Sequence, residues 1–505
     1  MSSSNGLICF TNCLLPLEDG SIVERDLWID ERRGVIVDAQ KTFFLRKERP
    51  AKVIDLEGNI LSPGFMDIQI NGAYGFDFSV YEGDDQVYSD GLRTVAEKIV
   101  ETGVTSLLPT TITQEKSLYP KLLNLLRPYS SPNSATLLGW HAEGPFIQYA
   151  KRGAHAPSFL LSAPNSMDSF KEVYGAENLA DAEDWLMSDT HERGLGIRVI
   201  TAAPEVDGVM STIGPLAKSG VVFSIGHSIA SSAKALEAVQ KGARLITHLF
   251  NAMPQLHHRD PAIIGLLGAS PHLATPFHPI TAQTPIVSRF GHELYRAPSL
   301  KGQHAVPSGS EALGDVDTPP MSPVRQPAAA PAMSGVASPL DLGYEEGHGH
   351  MTTEPFQRPF YELIVDGIHS HPNSVRLAYT AYPEGCILIT DAMKILDPSL
   401  KDGVHEWRDG QKFVKEGDKL YLEGTDTLAG SVVTLDKCVR NFVRFTGCSL
   451  GDAIKCATYN PAKCLGIENR KGTLRPGADA DFVVLDRLGN VLHTWVGGKQ
   501  VWSKQ

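Results

Sequence analysis

The chain has 505 residues, 42% of them hydrophobic and 21% charged, which is the balance of a globular protein able to bury a large core. Its 46 basic and 58 acidic residues leave a net charge of −12, so nucleic acid and anionic membrane, which reward basic surfaces, are not expected as partners. Seven cysteines without a CxxC pair, a start without a basic, then apolar, leader pattern, and no apolar run near ~18 residues predict a reducing, cytoplasmic setting with neither signal peptide nor membrane span.

Residues 7 to 62 carry short apolar runs broken by turns, such as Leu27-Trp28-Ile29 and Val35-Ile36-Val37, which is the texture of a small β unit. From residue 63 strand-like and helix-like segments alternate. The strands expected are Met66–Ile70, Ser106–Pro109, Thr136–Trp140, Ile197–Thr201, Val221–Ile225 and Leu245–Thr247, then Tyr361–Val365 and Cys386–Thr390. Eight such units predict an α/β fold, a parallel sheet closed into a (β/α)8 TIM-like barrel. Between 270 and 359 the chain is rich in Pro, Ser and Ala and is expected to be a long disordered insertion. Its Gly347-His348-Gly349-His350 is read as a flexible tract rather than a metal site. Cys438, Cys448, Cys456 and Cys464 fall in an expected helical region, as small apolar residues of the core. The β texture returns at 480–485 and 491–496. The two ends are therefore expected to pair into one small β-sandwich domain (1–62 with 472–505) beside a barrel of 63–471 that carries the insertion 270–359.

Titratable groups collect at four strand ends. His227 follows Val221–Ile225, and His248 follows Leu245–Thr247, with a helix from Ser231 to Val239 expected between them. Glu143 and Asp391 follow the third and eighth strands. In a parallel barrel these ends share one face. A Glu with two neutral imidazoles suits Zn²⁺ or a similar divalent ion with one position open for water, and an aspartate beside that water can take and return its proton. The constellation points to a metal-dependent hydrolase.

The motifs are also specific as a set. His141-Ala142-Glu143-Gly144-Pro145-Phe146, Gly226-His227-Ser228, Thr247-His248-Leu249-Phe250-Asn251-Ala252-Met253, His258-Arg259-Asp260-Pro261, Asp366-Gly367-Ile368-His369, Thr390-Asp391-Ala392-Met393 and Leu428-Ala429-Gly430-Ser431 run in order along nearly the whole chain outside the insertion. In this the chain resembles the N-acetylglucosamine-6-phosphate deacetylases, a branch of the amidohydrolase superfamily. The resemblance implies that Glu143, His227 and His248 bind one divalent ion per subunit, Zn²⁺ first among candidates. It implies Asp391 as general base and then general acid, and His155 as a substrate contact that polarises the acetyl carbonyl. Asn251, Ala252 and Arg259 would hold the sugar phosphate, for which a guanidinium fork is suited. His369 would reach the substrate from a neighbouring subunit of a homodimer, and Leu428, Ala429 and Gly430 would close the site.

Two-metal amidohydrolases carry His-x-His at the end of the first strand, where this chain has Gln69 and Asn71. Amides are poor ligands for such an ion, so the second metal position is expected to be vacant. The activity implied is hydrolysis of N-acetyl-D-glucosamine 6-phosphate to D-glucosamine 6-phosphate and acetate, in amino-sugar catabolism. The alternatives are another amidohydrolase acting on a cyclic amide or amidine, and a non-catalytic scaffold of the same fold.

Overall fold

The computed structural model describes residues 5–179, 196–269, 357–406, 412–425 and 430–504. The expected insertion and its Gly347-His348-Gly349-His350 lie outside the described residues from 270 to 356. Among the described residues no helix is long and apolar enough to cross a membrane.

Eight parallel strands form the barrel, in chain order: β1 Phe65–Ile70, β2 Val104–Ile112, β3 Trp140–Glu143, β4 Ile197–Ala202, β5 Val222–Ile225, β6 Leu245–Ile246, β7 Phe360–Ile364 and β8 Cys386–Ile389. Each pairs with the next, from β1 on β2 to β7 on β8. Beyond the last rung β8 meets β1 through backbone bonds: Asp391 N–H donates to Gln69 O at 2.9 Å, and Asn71 N–H to Ala392 O at 2.8 Å. The strands read as nearly unbroken buried runs, as expected of a parallel sheet covered by helices. The helix expected after β5 runs from Ser232 to Gln240, with the Ser231 hydroxyl accepting the Lys234 N–H at its start.

The third strand differs from the expectation. Thr136–Leu137 pairs with Ser106–Leu107 of β2, and after a break the chain resumes pairing with β2 at Thr110–Ile112 as the strand Trp140–Glu143. Gly139 separates the two: its φ is +111°, and a Cβ there would stand 2.6 Å from Gly196 O. As a result His141 and Glu143 lie inside the strand, two residues apart and therefore on the same face.

The chain ends do share a sheet. Its strand order is Lys499–Ser503, Val491–Val496, Phe482–Leu485, Ile60–Pro63, Leu14–Pro16, Ile22–Glu24. A four-stranded sheet of Val35–Val37, Leu27–Asp30, Leu7–Thr11 and Lys52–Asp55 contributes to the same apolar core, in which the Phe10 ring lies 5.0 Å from Phe482 and 5.1 Å from Trp495. One element has no counterpart in the expectations: an antiparallel sheet of Gly403–Glu406, Lys412–Glu416 and Lys419–Leu422 on the segment after β8. Cys438, Cys456 and Cys464 are buried on helices Leu435–Thr446, Leu450–Ala457 and Tyr459–Leu465, and burial pushes their thiols up.

Candidate active site

Three strand ends deliver their side chains to one point. Glu143 Oε1 lies 2.9 Å from His227 Nε2 and 3.2 Å from His248 Nε2, and the two imidazole nitrogens stand 3.1 Å apart. Gln69, on β1, donates its Nε2–H to the same oxygen at 3.1 Å. All four side chains are buried.

The backbone at these exits is strained. His227, His248 and Asp391 have φ of +48°, +28° and +46°, a region costly for residues with a Cβ and held only where the surroundings over-determine it. Gly226 is required by packing: a Cβ would come 2.6 Å from Thr201 Cγ2 and 2.7 Å from Thr247 Cβ.

Hydrogen bonds set the tautomers. His227 Nδ1 faces Lys151 O at 2.8 Å; a carbonyl only accepts, so Nδ1 carries the proton and Nε2 offers its lone pair. His155 is arranged the opposite way. Thr113 N–H donates to its Nδ1 at 3.2 Å, so the neutral ring carries its proton on Nε2. The His155 ring lies 4.5 Å from that of His227, and ligand atoms of Glu143, His155 and His227 come within 4.8 Å of one another. His227 is thus prepared as a ligand and His155 as a donor.

Two imidazoles and a carboxylate converging at about 3 Å suit a borderline divalent ion. The electrostatics ask for positive charge at the same point. Burial alone would raise the Glu143 carboxyl, but the His227 and His248 imidazoles against it hold it well below the usual range. Burial would lower His248; Glu143 outweighs it and raises that imidazole to about 9. Among the described residues Gln69 Oε1, Asn71 Oδ1 and His248 Nδ1 are buried without a hydrogen-bond partner.

Asp391 sits in the field of this cluster. Burial and the Glu143 charge raise its carboxyl to about 7, poised for proton transfer near neutrality. Asn71 Nδ2–H donates to Asp391 Oδ1 at 2.7 Å, which leaves Oδ2 for the proton. Beneath, Asp67 accepts from Thr390 Oγ1 at 2.6 Å and pins the turn that carries Asp391. His141 is a floor residue: burial lowers it to about 4, and Nε2 joins a hydroxyl chain through Thr201 and Thr247 to Ser224.

The remaining residues named from the sequence are less uniformly gathered. Asn251 lies on the turn after His248, its Nδ2–H 3.3 Å from His248 O, and Ala252 O accepts the Ser228 N–H, joining the turns after β5 and β6. Arg259 is exposed, and among the described residues no carboxylate pairs with it. His369 Nδ1 lies 2.5 Å from Asp366 Oδ2, and Asp391 and His248 of the same chain act on its charge. Gly430 packs on Met393, two residues past Asp391; Leu428 and Ala429 lie outside the described residues.

Sequence reasoning missed Thr113, the Lys151 carbonyl, Asp67 and Glu362. The last had a signal, a lone acid in the apolar run Tyr361-Glu362-Leu363-Ile364-Val365.

A parallel barrel that gathers a carboxylate, two histidines and a near-neutral aspartate at its strand exits defines a metal-dependent hydrolase of the amidohydrolase class, and the amidohydrolase family model matches residues 341–501. N-acetylglucosamine-6-phosphate deacetylases from Caenorhabditis elegans and Bos taurus are 35% and 36% identical to this chain, over 99% and 98% of it and 96% of each relative. That of Bacillus subtilis is 30% identical over 86% of this chain and 83% of its own. The crystal structure of the Pasteurella multocida deacetylase superposes with a TM-score of 0.67 at 21% identity, covering 99% of this chain and all of that one. The chain belongs to the N-acetylglucosamine-6-phosphate deacetylase family.

Proposed function

We propose that this protein hydrolyses the acetamide of N-acetyl-D-glucosamine 6-phosphate to D-glucosamine 6-phosphate and acetate, in amino-sugar catabolism. Supporting this, the curated relatives carry that activity in their names, and a Mycobacterium smegmatis homologue of the same fold is described in complex with N-acetyl-D-glucosamine-6-phosphate. The observation that carries the reading is the meeting of Glu143, His227 and His248 within about 3 Å, with Asp391 raised to about 7 in their field.

In this reading Glu143, His227 and His248 hold one divalent ion, Zn²⁺ by their N/O donor set, and Gln69 and Asn71 fill the second metal position with amides. The ion supplies Lewis-acid polarisation and a more acidic water. Asp391 Oδ2 takes the proton of the attacking water and returns it to the departing amine nitrogen. His155 donates its Nε2–H to the acetyl oxygen as negative charge gathers there. Asn251, Ala252 and Arg259 hold the sugar phosphate, His369 reaches the substrate from the neighbouring subunit, and Leu428, Ala429 and Gly430 close over it, so that remote binding energy orients the amide. The active unit is a cytoplasmic homodimer whose subunits each pair residues 1–62 with 472–505 beside a barrel of 63–471; the six-stranded sheet shared by the chain ends supports that division.

Acetate release from the phosphorylated sugar, repeated after chelation and metal add-back, tests the reading. Release that is lost on chelation, restored by a divalent ion and weak on the unphosphorylated sugar is expected. Turnover indifferent to chelation, or equal on both sugars, would overturn it.

A further inference from the structure

Glu362 stands wholly buried in the middle of β7, and the reaction as described gives it no part. Its main-chain carbonyl and one carboxyl oxygen both meet the chain where it leaves β6. Oε2 accepts the His248 N–H at 3.2 Å, and the main-chain carbonyl accepts the Leu249 N–H at 2.8 Å. These two N–H groups belong to a segment in which His248, Phe250 and Ala252 have φ of +28°, +77° and +50°. Three left-handed non-glycine residues in five are an unfavourable backbone, and it lasts only if partners hold it.

We infer that Glu362 is the positioning residue for His248, fixing the backbone turn from which its imidazole reaches Glu143 and His227. The other ring is oriented by the Lys151 carbonyl on His227 Nδ1. Among the described residues the Nδ1 of His248 has no such partner, and its ring is aimed from the main chain instead. Reach matters here more than charge: the side chain must be long enough to present an acceptor to the His248 N–H from the adjacent strand. A glutamine has that length; an aspartate, one methylene shorter, does not.

The inference rests on His248 being a metal ligand, and the experiment separates the two. Zn²⁺ affinity of the metal-free protein is measured by competition with a chromophoric chelator for the parent, E362D, E362Q and H248A, with far-UV spectra and melting of each metal-free form as the check on folding. E362D is expected to lose about 10- to 100-fold in affinity and recover its kcat at saturating metal with KM unchanged, whereas E362Q stays within about threefold of the parent. Parent-like affinity in E362D, or an equal loss in E362Q, overturns the positioning role while H248A still loses affinity. Parent-like affinity in H248A instead overturns the ligand assignment itself. Should E362D fail to fold, the rate of Zn²⁺ release from E362N to excess chelator carries the same prediction.

Discussion

Two clusters of buried carboxylates in this molecule solve opposite problems. At the start of the interior strand Phe482–Leu485 of the six-stranded sheet Lys471 Nζ bonds Asp481 at 2.5 Å and Asp479 at 2.9 Å, Arg470 Nε donates to the other oxygen of Asp479 at 2.9 Å, and Asp481 Oδ1 accepts the Gly497 N–H. Two cations face two anions, and each carboxylate has its partners. At the barrel mouth Glu143, Asp67 and Glu362 are buried and Asp391 is half-buried beside them, and among the described residues no lysine or arginine pairs with them. Histidines and amides stand in, and several buried polar atoms lack partners. The first cluster is closed and serves the fold. The second is open, which is the form a site takes when a cation and a substrate are to complete it.

That contrast can be broken by substitution. The largest effect expected is on turnover: D391N should cut kcat by between about 100- and 10,000-fold while metal content stays that of the parent, as read by acetate release and metal analysis. At the closed cluster K471M should leave kcat unchanged but cost about 3–5 kcal/mol in denaturant unfolding, because it leaves the buried Asp481 carboxylate without its cation. N71A should lie between the two regimes. Losing one hydrogen bond to a charged acceptor costs about 1.5–3 kcal/mol, seen here as a fall of roughly 10- to 100-fold in kcat and an acid limb moved to higher pH, since that bond favours the ionised Asp391.

The smallest effect is one of pH. Burial opposes ionisation of Asp479, but Lys471 and Arg470 hold its folded pKa below the usual value; its contribution to stability is present above ~3.9 and lost as pH falls through the folded pKa. Lys471, raised by Asp481 and Asp479 against burial, contributes fully below ~10.4 and loses its share as pH rises through its folded pKa. The gap in melting temperature between the parent and K471M should therefore be full near neutrality and close on acidification. A gap that does not shrink at any point as the pH is lowered below ~3.9 would show that the cluster is not electrostatic.

Much of this was legible in the sequence because the signals are local. A β-branched run followed by a histidine or an aspartate marks a strand and its exit, and the parallel barrel rule puts such exits on one face. The eight strands, the ends that pair, and Glu143, His227, His248 and Asp391 follow from patterns within a few residues. The third strand starts later than expected because Gly139 breaks a run that pairs with β2 both before and after it.

Three-dimensional contact alone decided the rest. Which histidine offers a lone pair and which a proton depends on Lys151 O and Thr113 N–H, 76 and 42 residues from the rings they touch. Asn71 meets Asp391 across 320 positions and Glu362 meets His248 across 114, because barrel closure sets the first strand against the eighth and pairing sets the sixth against the seventh. By itself the sequence determined which chemical groups leave the strands. The tertiary structure decided which atom of each group faces which neighbour, and proton positions and pKa values depend on those distances rather than on residue order.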